Sequence, residues 1–196
     1  CAPMRTSPEE TTRVNDLYSV TGMTTVYRSR APLRLGLAGG GTDLPDYSEQ
    51  HGGAVLNATV SMYAYASIEP RDDGQIVFRS VDLGVDESFT HEEAVIAGGQ
   101  LDLLKAVFFH VNENYATDSL SFTLTTYVDV PPGSGMGSSS TLVVAILGAF
   151  AEWLNLPFGE YDVASTAYQI ERTELQLSGG KQDQYAAAFG GFNFME

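Results

Sequence analysis

The run from Pro131 to Thr141, PPGSGMGSSST, sets three glycines and a triple serine between a β-type stretch and an apolar helical one. Glycines at 133, 135 and 137 let a backbone approach an anion closely and adopt positive φ. A helix that follows such a loop turns its free N–H groups and positive dipole end toward it. The combination is an anion cradle. It is not the GxxxxGK[ST] phosphate loop, because no lysine lies in it, and GxSxG is absent. Phosphate charge held there must be offset by the helix end and by Mg²⁺, with the hydroxyls of Ser138, Ser139 and Ser140 as natural metal or phosphate contacts. The plainer alternative is a glycine turn whose Ser138 caps a helix. That explains one serine and leaves the other residues unaccounted for.

Two further segments carry candidate chemistry. In APLRLGLAGGGTDLPDY, Ala31 to Tyr47, a strand bearing Arg34 runs into three glycines and then Thr42 and Asp43. A carboxylate just past a glycine turn can accept hydrogen bonds from sugar hydroxyls, and Arg34 can reach a phosphoryl group. The same letters also describe an ordinary turn with a helix N-cap. In IERTELQLSGGKQDQ, Ile170 to Gln184, Glu171 and Glu174 project within or beside an apolar stripe of Val163, Ala167 and Ile170. Inward carboxylates suit Mg²⁺, which takes one or two of them together with phosphates and waters. Pairing with Arg172 at the helix rim is the other reading. Asp183 follows a Gly-Gly break and opens a short helix, a position that suits a general base aimed into a cleft, or else an N-cap.

These segments need a scaffold, and the pattern supplies one. From Thr24 the chain is β-type through TTVYRSR, LRLGLA, AVLNATVSMYAYASIEP and QIVFRSVDL, with RDDG at 71–74 predicting a hairpin turn. The acidic stretch 82–103 reads as a loop leading into a helix over roughly 101–112. Residues 120–130 alternate as a long strand that stops at Pro131 and Pro132. About four turns of helix follow the glycine loop, then a helix over 161–175, a short Ala-rich helix and the start of another strand. The fold class is mixed α/β (α+β), with a strand group before a helix group. Residues 1–22 read as a tag or mobile tail, and 23–196 as one domain.

Composition narrows the partners. Ten Lys and Arg against 25 Asp and Glu leave a net charge of −15. A chain this acidic repels nucleic-acid backbones and anionic lipid, so no nucleic acid and no membrane partner is expected. A single cysteine, Cys1, precludes an intrachain disulfide and fits a reducing, cytoplasmic setting. No apolar run reaches the ~18 residues of a spanning helix. His51, His91 and His110 show no metal-ligand spacing, and Trp153 reads as core.

Taken in order, the three segments resemble the GHMP kinases: PPGSGMGSSST is similar to that family's signature, with Met136 where it usually has Leu, and APLRLGLAGGGTD to its first motif. Gly40 and Gly41 replace the Glu-His of galactokinases. The wording is most similar to the sugar kinases of the D-glycero-D-manno-heptose phosphate group, with fucose kinases alike in two places. The resemblance spans residues 25–196 and implies a fold like ribosomal protein S5 domain 2, ATP and Mg²⁺ as cofactors, and a sugar phosphate acceptor.

It implies ATP-dependent transfer to the anomeric hydroxyl of a heptose 7-phosphate, on the way to a nucleotide-activated heptose for surface polysaccharide. A fucose-type kinase and a non-catalytic ATP- and sugar-binding protein are the alternatives. By position, Asp183 and Arg34 would be catalytic, and Asp43, Thr42, Gly41 and Lys181 would bind substrate. Pro132, Gly133, Ser134, Gly135, Met136, Gly137, Ser138, Ser139 and Ser140 would hold the nucleotide. Ser139 and Glu171 would hold Mg²⁺, with Glu174 one helical turn away as the competing ligand. The family continues into a second domain, so the expectation is a chain whose C-terminal domain is absent, poorly active alone, with its last strand at 191–195 lacking neighbours.

Overall fold

The computed structural model describes residues 25–91, 93, 99 and 101–196; the tail read at 1–22 lies outside the described residues. Strand β1 (Tyr27–Ala38) is followed by a short 3₁₀ turn (Gly40–Asp43) and helix α1 (Pro45–His51). Strands β2 (Val55–Pro70), β3 (Gln75–Ser80) and β4 (Val85–Thr90) come next, then α2 (Asp102–Asn114) and β5 (Phe122–Val128). Helices α3 (Ser138–Leu154), α4 (Glu160–Gln169) and α5 (Gln182–Phe189) and strand β6 (Phe192–Met195) complete the described chain. The strands form one sheet in the order β1-β2-β5-β3-β4, with β6 added to β2.

Period-two burial decides which face of the sheet is covered. Ala64, Ala66 and Ile68 of β2, Phe122 and Leu124 of β5, and Ile76 and Phe78 of β3 point inward, where they meet Phe108 of α2 and Val143, Ile146, Leu147 and Phe150 of α3 in one core. Helix α3 packs on both β1 and β2, so the glycine loop at its N-terminus is fixed against the sheet. Tyr63, Tyr65 and Tyr127 line the opposite face.

Four expectations are corrected. RDDG does not close a hairpin, because β5 lies between β2 and β3, antiparallel to the first and parallel to the second. Stepping over one strand spans ~10 Å, within reach of a four-residue link. Arg71 ties this link to the start of β5, donating its N–H to the Ser121 carbonyl (2.8 Å) and its guanidinium to Thr123 Oγ1 (3.3 Å). The stretch 82–103 is not all loop. VDESFT forms β4, its acidic residues masking an alternation in which Phe89 packs edge-on against Phe78 at 5.1 Å.

The last strand, finally, has a neighbour. The 16-residue β2 shares one edge between two partners, β5 along 64–70 and β6 along 55–58. The helix expected over 161–175 also changes character. It is α-helical to Gln169 and then widens into a π-turn over Ile170–Glu174. No helix among the described residues is long and apolar enough to cross a membrane.

Candidate active site

The glycine loop has the form an anion cradle needs. Gly133, Gly135 and Gly137 all have φ between 73° and 79°, and Gly137, not Ser138, is the N-cap of α3. No side chain caps this 17-residue helix, so its first N–H groups and dipole end face the loop unsatisfied. The reading of Ser138 as a simple cap therefore fails. Pro132, Gly133, Ser134 and Gly135 are exposed, and Met136 accepts the Arg34 N–H at its carbonyl (3.2 Å).

Arg34 joins two of the three segments. Its Nε lies 2.7 Å and its second nitrogen 2.5 Å from Asp183 Oδ1, while its remaining nitrogen donates to the Gly135 carbonyl at 2.7 Å. A register shift between β1 and β2, just before Arg34, accompanies this placement. Lys181 occupies the N-cap position of α5 without a side-chain capping bond, and Asp183, in the first turn, meets Arg34 instead. A Cβ at Gly137 would lie only 3.0 Å from Asp183 Cγ, so loop and carboxylate are in near contact.

Asp43 accepts the Gln182 N–H at 2.9 Å, and Gly180 passes so close to it that no side chain fits there. Asp43, Ser139, Ser140, Glu171 and Asp183 thus line one cavity of about 410 Å³, with Gly40 at its rim. Thr42 is committed elsewhere. Its hydroxyl meets the Gly39 carbonyl at 2.7 Å and accepts the Ala54 N–H at 3.0 Å, an internal staple of the turn. Gly41 is open, with nothing near its Cβ position. Lys181 lies with Thr42, Asp43 and Tyr168 around an adjoining cavity of about 380 Å³, its Nζ 5.8 Å from the Tyr168 ring.

The two glutamates part company at the π-turn. Glu171 turns inward, 1% exposed, accepting from Ser140 Oγ at 3.0 Å and Gln184 Nε2 at 2.5 Å. Burial pushes its carboxyl above the usual glutamate range, a shift that the two hydrogen bonds and nearby Arg172 oppose. Glu174 instead meets the buried His110 Nδ1 of α2 at 2.6 Å. A regular helix would hold residues three apart on nearly one face; the wider turn separates them. Arg172 pairs with neither glutamate and donates to the Gly180 carbonyl at 3.2 Å, pinning the Gly-Gly break.

A buried carboxylate at a cavity, beside the exposed Ser139 and the free end of α3, fits a divalent cation shared with phosphates. Among the described residues no group of three or more His, Cys, Asp or Glu forms a closed cage. Mg²⁺ held mainly by substrate phosphates and water needs none. Sequence reasoning missed Gln184, the role of Arg172 and the His110–Glu174 contact. Only the GGKQDQ run hinted at the first, and nothing local hinted at a pair 64 residues apart.

Residues 102–191 match the family described as GHMP kinases N terminal domain. The chain is 52% identical over 169 residues to D-glycero-alpha-D-manno-heptose 7-phosphate kinase of Campylobacter jejuni, covering 86% of this chain and 50% of that protein. It is 28% identical over 189 residues to L-fucokinase/L-fucose-1-P guanylyltransferase of Bacteroides fragilis, covering 85% of this chain and 20% of that protein. Among solved structures, a D-glycero-D-manno-heptose 1-phosphate kinase from Bacteroides thetaiotaomicron superposes with a TM-score of 0.79 at 50% identity, covering 87% of this chain and 56% of that one. The chain therefore spans about half the length of the heptose kinases it matches.

Proposed function

As a chain that carries the N-terminal domain of the GHMP kinases, the protein is, we propose, the nucleotide-binding and catalytic half of a kinase. The kinase would move the γ-phosphoryl of ATP to the anomeric hydroxyl of D-glycero-D-manno-heptose 7-phosphate. The observation that carries this reading is the placement of Asp183. Its carboxylate is fixed by Arg34 beside the glycine loop, in the same cavity as Asp43 and Glu171.

Phosphoryl transfer asks a protein mainly to position reactants and to stabilise charge. The roles divide as follows. The free N–H groups at the start of α3 and the loop backbone hold phosphate oxygens, with Ser138 and Ser139 at the helix end. Ser139 and Glu171 would hold Mg²⁺, which would offset phosphate charge. Asp183 accepts the proton of the acceptor hydroxyl, and Arg34 both orients that carboxylate and lies next to the transferring group. Asp43 receives sugar hydroxyls, and Lys181 faces the acceptor from the adjoining cavity. Thr42 and Gly41 support the turn that presents Asp43. A small apolar groove of about 140 Å³ on the other side of the loop, walled by Leu83, Leu103, Pro132 and Leu142, suits the nucleobase. A cytoplasmic setting, where ATP and sugar phosphates are found, belongs to the same proposal.

The test is ADP release by the intact protein with heptose 7-phosphate, heptose 1-phosphate and fucose as competing acceptors. The 7-phosphate should be preferred, and Asp183→Asn should lower kcat by roughly 10²- to 10⁴-fold. Equal rates for the wild type and Asp183→Asn would remove the catalytic assignment. A preference for fucose would replace the acceptor while leaving the chemistry intact.

A further inference from the structure

Gln184 lies one residue beyond Asp183 on α5 and is wholly buried. Its Nε2 donates to Glu171 Oε2 at 2.5 Å and stands 3.2 Å from Ser140 Oγ, while Ser140 Oγ donates to Glu171 Oε1 at 3.0 Å. Both oxygens of Glu171 are thus gripped from behind, by donors on α3 and on α5. The amide oxygen of Gln184, meanwhile, is buried without a partner among the described residues. A buried orphan acceptor costs stability, and an apolar side chain of the same shape would avoid the cost. The amide's value at this position therefore lies in its NH₂ group.

We propose that Gln184 is a positioning residue, clamping Glu171 and Ser140 so that the carboxylate presents its remaining lone pairs to a divalent cation in the cavity. The proposal rests on the reading of Glu171 as a cation ligand. It couples two functions through one short helix: the first turn of α5 carries the proton-accepting Asp183, and the next residue sets the carboxylate that faces the cation. Groups that orient metal-ligating carboxylates commonly matter by 10- to 100-fold in metal affinity.

Mn²⁺ binding to the intact protein, with a non-hydrolysable ATP analogue present, tests this by calorimetry or by electron paramagnetic resonance, independently of turnover. Gln184→Met should weaken Mn²⁺ binding by about 10-fold or more and raise the metal requirement of catalysis, with the KM for sugar unchanged. In a Glu171→Gln background the same substitution should add nothing, since the two act as one unit. Gln184→Glu places a second carboxylate against the first, so Mn²⁺ should raise its melting temperature more than that of the wild type. This variant decides the matter if Gln184→Met does not fold. Wild-type Mn²⁺ affinity in Gln184→Met, or a Gln184→Glu melting shift no larger than the wild type's, overturns the clamp. If Glu171→Gln itself binds Mn²⁺ normally, the reading of Glu171 as a ligand fails first, and the clamp falls with it.

Discussion

Gly180→Ala is the substitution whose effect the geometry fixes most sharply. Gly180 is the second residue of the Gly-Gly break, and a methyl there would overlap the carboxylate and the backbone carbonyl of Asp43, which backbone movement alone can relieve. Overpacking of this kind costs about 1–3 kcal/mol. Moving Asp43 also breaks its bond from the Gln182 N–H at 2.9 Å, a hydrogen bond to a charged group worth about 1.5–3 kcal/mol. The two effects together come to about 2.5–6 kcal/mol. At roughly 2–4 °C per kcal/mol for a domain of this size, that is a fall of at least about 5 °C, and up to roughly 24 °C, in the melting temperature. Because Asp43 lines the cavity, the KM for the sugar should rise as well. Gly41→Ala is the matched control: it has no atom within 4 Å of its Cβ position and no positive φ. Surface changes of that kind stay within about 0.5 kcal/mol. Scanning calorimetry of both variants, with acceptor titrations, is the assay. Equal melting temperatures for Gly180→Ala and Gly41→Ala would refute the claim that the Gly180 backbone and Asp43 share this space.

Three further outcomes follow from the same network. Since burial raises the Glu171 carboxyl above its usual 4.5, its contribution to stability is full below that value and is lost as pH rises through the higher folded value. Metal-free Glu171→Gln should therefore be more stable than the wild type at neutral pH and lack this decline, as urea midpoints across pH 4–8 would reveal; parallel profiles for the two would contradict it. His110→Phe keeps an aromatic ring in α2 but removes the 2.6 Å partner of Glu174. It should speed hydrogen exchange over residues 170–177 and destabilise by about 1–3 kcal/mol; unchanged exchange there would show that the π-turn holds itself. Gly137→Ala must strain a φ of 73° and crowd Asp183 at 3.0 Å, so nucleotide affinity and kcat should fall together, and a loss of affinity alone would place the damage in the loop only.

The parts of this architecture that were legible in the sequence are those encoded locally. PPGSGMGSSST announced a loop before a helix because glycine spacing and helical periodicity are neighbours in the chain, and both appear in the structure at α3. Asp183 and Asp43 were picked out for the same reason, each standing beside a glycine break. What was hidden depended on distance or on a change of period. The crossing of β5 between β2 and β3 is decided by strands more than 40 residues apart, and RDDG looks the same whether or not it steps over a strand. The strand VDESFT was lost in an acidic run because its outward positions, Asp86 and Ser88, are polar like a loop's. The π-turn has no compositional mark, so a 3.6-residue period placed Glu171 and Glu174 together when one faces the cavity and the other faces His110.

The charge of −15 acquires a structural meaning from the same network. Of the basic residues near the cavity, Arg34 is bound to Asp183 and to the Gly135 carbonyl, and Arg172 is bound to the Gly180 carbonyl. Neither is a loose phosphate clamp. Each instead holds a backbone or a carboxylate in place, so arginine here supplies shape more than net positive charge. Attraction for a polyphosphate must then come from the uncapped N-terminus of α3, from the loop N–H groups and from a cation brought with the nucleotide. Such a site is selective because its donors converge on one small anion. An extended nucleic-acid backbone would gain the same few contacts while meeting the repulsion of the whole acidic surface. Under the proposed function, local donors and global charge would act in the same direction, the cradle favouring a metal-bound nucleotide and the acidic surface disfavouring other polyanions.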